Sequence, residues 1–149
     1  MGNTAVFTRR KALGTVLCFA AALLLLISLR YILHTGQTSV KTLEGREMFL
    51  KELGWEIDPS SEECRDVVIP PSLEGVMEDY NRMQRSQGYD LSDYCGRTCR
   101  QYSYDVTNYP DYEGRVIVTI YVCGRQVIAG DVHTASVGGF MHSIKRSGE

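Results

Sequence analysis

The chain has 149 residues, of which 44% are hydrophobic and 23% are charged. This length is typical of one folded domain, and this composition excludes wholesale disorder and low-complexity architectures. The formal net charge of −2 excludes a generally basic nucleic-acid-binding protein. The charge is unevenly distributed, because residues 1–33 carry four basic and no acidic side chains, whereas residues 34–149 carry 12 basic and 18 acidic ones. We therefore expect a basic, apolar leader followed by a mildly acidic body.

A long apolar segment follows the basic residues of segment 1–11. Residues 12–29 contain no charge, and at about 1.5 Å of rise per residue they span roughly 27 Å, close to the thickness of a bilayer's hydrocarbon core. With the apolar residues that follow, the pattern predicts a transmembrane helix over residues 12–33. The positive-inside rule then predicts a cytoplasmic N-terminus and an extracytoplasmic C-terminal part, because three basic residues precede the segment: Arg9, Arg10 and Lys11.

A cleaved signal peptide is the alternative explanation of this leader. Its apolar core is usually about 7–15 residues long, and small residues mark its cleavage site. The sequence LRYILHTGQTS at 29–39 has bulky residues where that site would lie. We therefore favour an uncleaved signal-anchor of a single-pass cell-membrane protein, with residues 34–42 as a polar linker and residues 43–149 as an extracytoplasmic domain.

Two helices are predicted in the first half of this domain. The first covers residues 41–53, with Gly54 at the position of a C-cap glycine. The second begins at Ser72, a typical N-cap residue, and continues to Gln87. One face of the second helix carries apolar side chains at helical spacing, namely Leu73, Val76, Met77, Tyr80 and Met83.

Strand patterns dominate the second half. Residues 101–109 alternate loosely and are rich in aromatic side chains, and residues 115–122 and 125–134 predict a hairpin around Cys123-Gly124-Arg125. Earlier in the chain, residues 55–59 predict an extended segment and residues 66–69 a short strand. Because helices precede strands without alternation, we predict an α+β fold in which two helices pack on a three- to four-stranded antiparallel sheet with a C-terminal β-hairpin.

Four segments resemble an uncharacterised domain-of-unknown-function family. They are FLKELGWEID at 49–58, VIPPSLEGVMEDYNRMQRSQGYDLSDY at 68–94, YSYDVTNYP at 102–110 and VIAGDVHTASVGGFMH at 127–142. The resemblance covers about residues 46–143. It implies a small single-pass membrane protein of Gram-positive anaerobic bacteria with a domain in the cell envelope. The family has no assigned activity, so the resemblance implies no catalytic residue.

Cysteines provide the first group of candidate site residues. An even number of extracytoplasmic cysteines suggests up to two disulfides, and four cysteines allow three pairings. Reducing surroundings would instead leave free thiols. Zinc is a third alternative, in which Cys95-x3-Cys99 and histidines supply the ligands, although zinc sites usually have C-x2-C spacing. The candidates for a disulfide or a metal are Cys64, Cys95, Cys99 and Cys123.

Asp131 and His133 alternate along a predicted strand and therefore share one face. A carboxylate beside a histidine can orient a general base, and Ser136 or Ser143 would then have to act as the nucleophile. The sequence has no G-x-S-x-G elbow, phosphate loop or Rossmann glycine pattern. We therefore expect Asp131 and His133 to be exposed polar side chains on the solvent side of the hairpin, and we predict no catalytic residue and no cofactor.

Tyrosines are concentrated between residues 89 and 121. Tyrosine is common at recognition surfaces because it combines a large contact area with a hydroxyl, but it also has a high strand propensity. Tyr102 and Tyr104 share one strand face, where an exposed aromatic strip would form. The predicted binding surface comprises Tyr102, Tyr104, Tyr109 and Tyr121.

Two functional hypotheses follow. The first is a membrane-anchored extracytoplasmic binding or interaction domain in the bacterial cell envelope, whose ligand is an envelope protein, a peptide or a glycan and not a nucleic acid. The alternative is a small thiol- or metal-dependent extracytoplasmic enzyme. It requires four side chains to converge in the fold, namely Cys95, Cys99, His133 and His142.

Overall fold

The computed structural model describes residues 39–146. In chain order these residues form helix α1 (Leu43–Glu52), strand β1 (Ile57–Val68), helix α2 (Val76–Ser86), a 3₁₀ helix (Leu91–Tyr94) and strands β2 (Thr98–Val106), β3 (Val116–Cys123), β4 (Gln126–Thr134) and β5 (Met141–Ser143). The five strands form one antiparallel sheet whose spatial order is their chain order.

The predicted transmembrane segment 12–33 lies outside the described residues. Within residues 39–146, the helices are too short and too polar to cross a membrane. The predicted linker 34–42 is described only at its end, where Val40 is buried in the core. The side chain of Thr42 caps α1 by accepting a hydrogen bond from the backbone N–H of Gly45 at 3.1 Å. The domain therefore includes part of the predicted linker.

The predicted α+β class is confirmed, but the sheet has five strands rather than three or four. The strand that the prediction lacked is β5, which pairs with β4. Strand β1 is also longer than predicted, because it joins the two segments predicted separately at 55–59 and 66–69. Proline cannot donate a ladder hydrogen bond, so within sheets it is confined to edge strands, strand starts and bulges. The sheet tolerates Pro59 because β1 is an edge strand and its register with β2 shifts between Asp58 and Glu63.

Helix α1 covers one face of the sheet. Leu50 of α1 is fully buried against this face. Trp55, which follows the helix, is also buried, and its indole N–H donates to the backbone carbonyl of Ile144 at 2.6 Å. Because strand side chains alternate between faces, the even-numbered side chains of the central strands form the rest of this core, including Tyr102, Tyr104, Val118, Ile120 and Val132.

Helix α2 lies by the opposite face, beside a smaller core that contains Ile69, Leu91 and Ala129. The helix begins at Val76 after Gly75, so the prediction that Ser72 is its N-cap is wrong. The predicted apolar face is wrong at Val76, whose side chain is 83% exposed. The fully buried side chains of α2 are instead two amides, Asn81 and Gln84.

Glutamine side chains connect this helix to the sheet where β4 and β5 diverge. The Gln84 Oε1 atom accepts from the Gly130 backbone N–H at 2.9 Å, and Gln87 donates to the Gly130 carbonyl at 3.1 Å. Gln87 also accepts from the backbone N–H of Ile144 at 2.9 Å. The amides thus satisfy buried backbone groups at a sheet edge, which explains why polar residues occupy the buried face of α2.

We expect acid to weaken the fold partly through Asp90, which caps the 3₁₀ helix. Hydrogen bonds from Ser92 and Asn81 lower the pKa of the Asp90 carboxyl to about 2. Because this pKa lies below the unfolded value of about 3.9, the ionised carboxylate contributes stability above about pH 4 that is lost as the pH falls towards 2. In Asp90→Asn, urea unfolding should show a shallower loss of stability between pH 4 and pH 2. Asp93→Asn, in the same turn, is the control. If the wild-type protein and both variants lose stability equally steeply as the pH falls, Asp90 does not have this role.

Candidate functional site

A groove of about 250 Å³ lies on the sheet face that α2 covers only in part. Helix α2 packs near Tyr121, with the Tyr80 and Tyr121 rings 6.2 Å apart. The groove lies further along the same face, where polar side chains of β1, β2, β3 and β4 line it. They include Arg65, Ser103, Asp105, Thr119 and His133.

Hydroxyl and amide groups line the middle of the groove. The strand register pairs Ser103 with Thr119, and their hydroxyls form a hydrogen bond of 2.8 Å. Gln101 donates to the Ser103 hydroxyl at 3.4 Å and accepts from Arg65 Nε at 2.9 Å. The polar side chains are therefore held in a connected row across β1, β2 and β3.

Asp131 and His133 share one face, as the strand pattern predicted, but the expectation that both are exposed is wrong. Asp131 is 2% exposed and accepts a hydrogen bond of 2.6 Å from the hydroxyl of Tyr80. The other oxygen of the Asp131 carboxylate lies 2.8 Å from His133 Nδ1. Burial and the Asp131 charge raise the pKa of Tyr80, so its phenol keeps the proton that it donates. Helix α2 therefore buries Asp131, and the carboxylate in turn orients His133 towards the groove.

The charged side chains at the groove differ in how they are paired. Arg115 donates to Asp105 at 2.8 Å and lies 3.5 Å from Glu63, so its charge is compensated. Arg65 bonds through Nε to Gln101, and within residues 39–146 no carboxylate lies within ion-pair distance of it. The same part of the chain provides no hydrogen-bond partner for His133 Nε2. The terminal nitrogens of Arg65 and the Nε2 atom of His133 therefore remain available to a ligand.

The predicted tyrosine surface is divided among three places. Tyr102 and Tyr104 are 6% and 1% exposed on the face covered by α1, so they do not form the exposed strip that we expected. Tyr121 lies against Tyr80 of α2 on the other face. Tyr109 stacks on Trp55, with ring centroids 5.8 Å apart. Strand alternation correctly grouped Tyr102 with Tyr104, but it did not show which face is covered.

Arg46 contacts both of the tyrosines in that core. Arg46 of α1 donates to the Tyr104 hydroxyl at 2.6 Å and to Glu62 at 2.6 Å, and its guanidinium lies 3.8 Å from the Tyr102 ring centre. Partial burial opposes ionisation of Glu62, but hydrogen bonds from Tyr104 and Arg46 outweigh it and lower the pKa of Glu62. This cluster stabilises the fold and is too enclosed at Arg46 and Tyr104 to bind a ligand.

The residues of the alternative enzyme do not converge. His133 lies at the groove, whereas His142 bonds to the Tyr109 hydroxyl at 3.0 Å, beside Trp55 on the other face. Cys99 belongs to the small core beside α2. Cys64, Cys95, Cys99 and Cys123 are free thiols, and within residues 39–146 no three His, Cys, Asp or Glu side chains are grouped to hold a metal ion.

Apart from Cys64, Tyr104 and His133, the residues that line the groove were not predicted from the sequence. One signal was present, because Gln101, Ser103 and Asp105 alternate with the two buried tyrosines of β2. An alternation of this kind indicates which face is polar. It does not indicate that polar groups from β1, β3 and β4 join them, since that depends on strand order and register.

Comparison with known proteins supports the family resemblance in its general form. A family model described as Domain of unknown function (DUF4830) matches residues 49–132. No curated protein and no solved structure matches the chain.

Proposed function

The chain belongs to this family of domains of unknown function, and we propose that it is a binding domain held outside the cell membrane by residues 12–33. The uncharged apolar segment and the basic residues before it support this anchoring. The resemblance described above supports a single-pass protein in the cell envelope of Gram-positive bacteria. The groove on the partly open sheet face is the ligand site, and the observation that carries this proposal is its row of side chains, pre-positioned by hydrogen bonds.

The ligand group that fits best is a carboxylate. The guanidinium of Arg65 is anchored at Nε by Gln101, which leaves its two terminal nitrogens for a carboxylate. His133 is anchored at Nδ1 by Asp131, which leaves Nε2 for a second polar contact. Because the cavity is smaller than the roughly 300–1,000 Å³ of sites for drug-sized ligands, we expect it to hold one end of a larger molecule.

A peptide C-terminus satisfies these requirements. Arg65 lies on β1, which is an edge strand and pairs only with β2 in the sheet. An extended peptide can add to such an edge through main-chain hydrogen bonds while its terminal carboxylate contacts a cation. Binding is favoured over hydrolysis because the Ser103 and Thr119 hydroxyls bond to each other rather than to His133.

The test uses the full chain, labelled with ¹⁵N in detergent micelles, and two probes. One is an N-acetylated dipeptide with a free C-terminal carboxylate, and the other is the same dipeptide as its C-terminal amide. We expect the carboxylate probe to shift the amide signals of groove residues, including Ser103 and Thr119, and the amide probe to bind at least about ten-fold more weakly, which corresponds to ~1.4 kcal/mol.

The matched variants are Arg65→Gln and Arg100→Gln. Arg65→Gln should weaken binding of the carboxylate probe by at least about ten-fold. Arg100→Gln removes an exposed arginine paired with Asp66 and should leave binding unchanged. If both probes bind equally, or if both variants weaken binding equally, carboxylate recognition by Arg65 is wrong. If neither probe moves a groove signal, the peptide-binding proposal is wrong.

A further inference from the structure

Cys99 and Cys123 lie next to each other on neighbouring strands. The register of β2 and β3 pairs Arg100 with Val122, and one more step along it brings Cys99 opposite Cys123. Directly opposed residues on antiparallel strands have Cβ atoms about 4.5–5.5 Å apart, which is close to the separation in a disulfide. Both residues pack in the small core beside α2, and the nearby Cys123 thiol contributes to the raised pKa of Cys99.

From this juxtaposition, we propose that Cys99 and Cys123 form a thiol–disulfide site, which closes a cross-strand disulfide between β2 and β3 when the protein meets a disulfide oxidant. The structure thereby selects one partner for Cys99 among the three pairings that the sequence left open. The remaining cysteines are apart from each other. Gly96, which follows Cys95, bonds to Ile69, and Ile69 lies five residues along the chain from Cys64, a distance of roughly 16 Å for a strand.

The two thiols have different roles because their exposure differs. Cys99 is 3% exposed, whereas Cys123, the last residue of β3, is partly exposed beside the hairpin turn. Burial raises the pKa of the Cys99 thiol to about 12, and contact with Cys123 adds to the rise. Cys123 is therefore the thiol that reacts first with an oxidant, because reaction requires both access and a thiolate.

The reaction proceeds in two exchange steps. The Cys123 thiolate attacks the S–S bond of a small-molecule disulfide, which forms a mixed disulfide and releases one small thiol. Cys99 then attacks the Cys123 sulfur of the mixed disulfide, and its proton leaves with the second small molecule, which is released as a thiol. Two protein thiols are oxidised to one disulfide, and one small-molecule disulfide is reduced to two thiols.

The experiment exposes the reduced full chain, in mild detergent, to oxidised glutathione, followed by alkylation and tryptic mapping. Trypsin cuts after Arg65, Arg97, Arg100, Arg115 and Arg125, so the four cysteines of the domain lie on four different peptides. We expect one linkage, between the peptides of Cys99 and Cys123, with Cys64 and Cys95 alkylated. The melting temperature of the oxidised protein should exceed that of the reduced protein by about 10 °C or more.

Four cysteine variants test whether the linkage is specific to Cys99 and Cys123. Cys99→Ser and Cys123→Ser should each abolish the linkage and the rise in melting temperature, and circular dichroism shows whether they remain folded. Cys64→Ser and Cys95→Ser should leave both unchanged. A linkage that joins another pair in the folded wild-type protein, or complete alkylation of all four thiols after oxidation, would overturn the proposal. The same oxidation in urea should give mixed pairings, and a linkage only between Cys99 and Cys123 there would show that the fold does not direct the reaction.

Discussion

Replacing Arg46 with alanine is expected to lower the free energy of unfolding by about 3–5 kcal/mol. Arg46 is 4% exposed and bonds to Glu62, to the Tyr104 hydroxyl and to the backbone carbonyls of Val40 and Lys41. Its loss leaves these acceptors without their donor in a largely enclosed site, and such groups are costly to leave unsatisfied. Urea unfolding followed by the fluorescence of Trp55, the only tryptophan in the chain, measures the change.

Arg100→Ala is the matched control for this prediction. Arg100 pairs with Asp66 at 3.2 Å, but the two side chains are 55% and 66% exposed. Water and salt screen such a pair, so its removal should change the stability by no more than about 0.5 kcal/mol. If Arg46→Ala costs no more than Arg100→Ala, then the cluster of Arg46, Glu62 and Tyr104 does not stabilise the domain as described.

Replacing Leu50 with alanine is expected to cost about 2–5 kcal/mol, because it removes buried methyl groups and leaves a cavity. Leu50 is fully buried where α1 packs on the sheet. The same fluorescence measurement applies, since Trp55 belongs to the same core. The variant should unfold at a lower urea concentration with an unchanged dependence on urea, which indicates a loss of stability without a change in the unfolded state.

The Val76→Ala variant tests whether Val76 packs against the core, as the helical spacing of the sequence predicts, or is exposed, as the structure has it. The spacing of apolar residues places Val76 on the same face as Met77 and Tyr80, but the structure leaves its side chain 83% exposed. We expect a change within about 0.5 kcal/mol. A loss comparable to that of Leu50→Ala would mean that Val76 packs against the core together with Met77 and Tyr80, contrary to its exposure.

Local periodicity explains which elements of the fold could be predicted from the sequence. The spacing of apolar residues and Gly54 suffice to locate α1 within two residues, and β-branched residues around Gly124 suffice for the β3–β4 hairpin. These signals depend only on residues that are close together in the sequence. Strand β1 was harder to predict, because its polar residues and Pro59 are typical of a loop. It forms a strand because it pairs with β2.

The sequence by itself therefore determined the α+β class, the order of helices before strands, and the pairing of side chains such as Tyr102 with Tyr104 or Asp131 with His133 on a common strand face. Only the tertiary structure decided which of these strand faces is buried and which helix covers it. Helix α1 buries the two tyrosines, helix α2 buries Asp131, and the groove lies beside Arg65 and His133. The physical reason is that alternation along a strand is a local property, whereas burial depends on which distant element packs on each face.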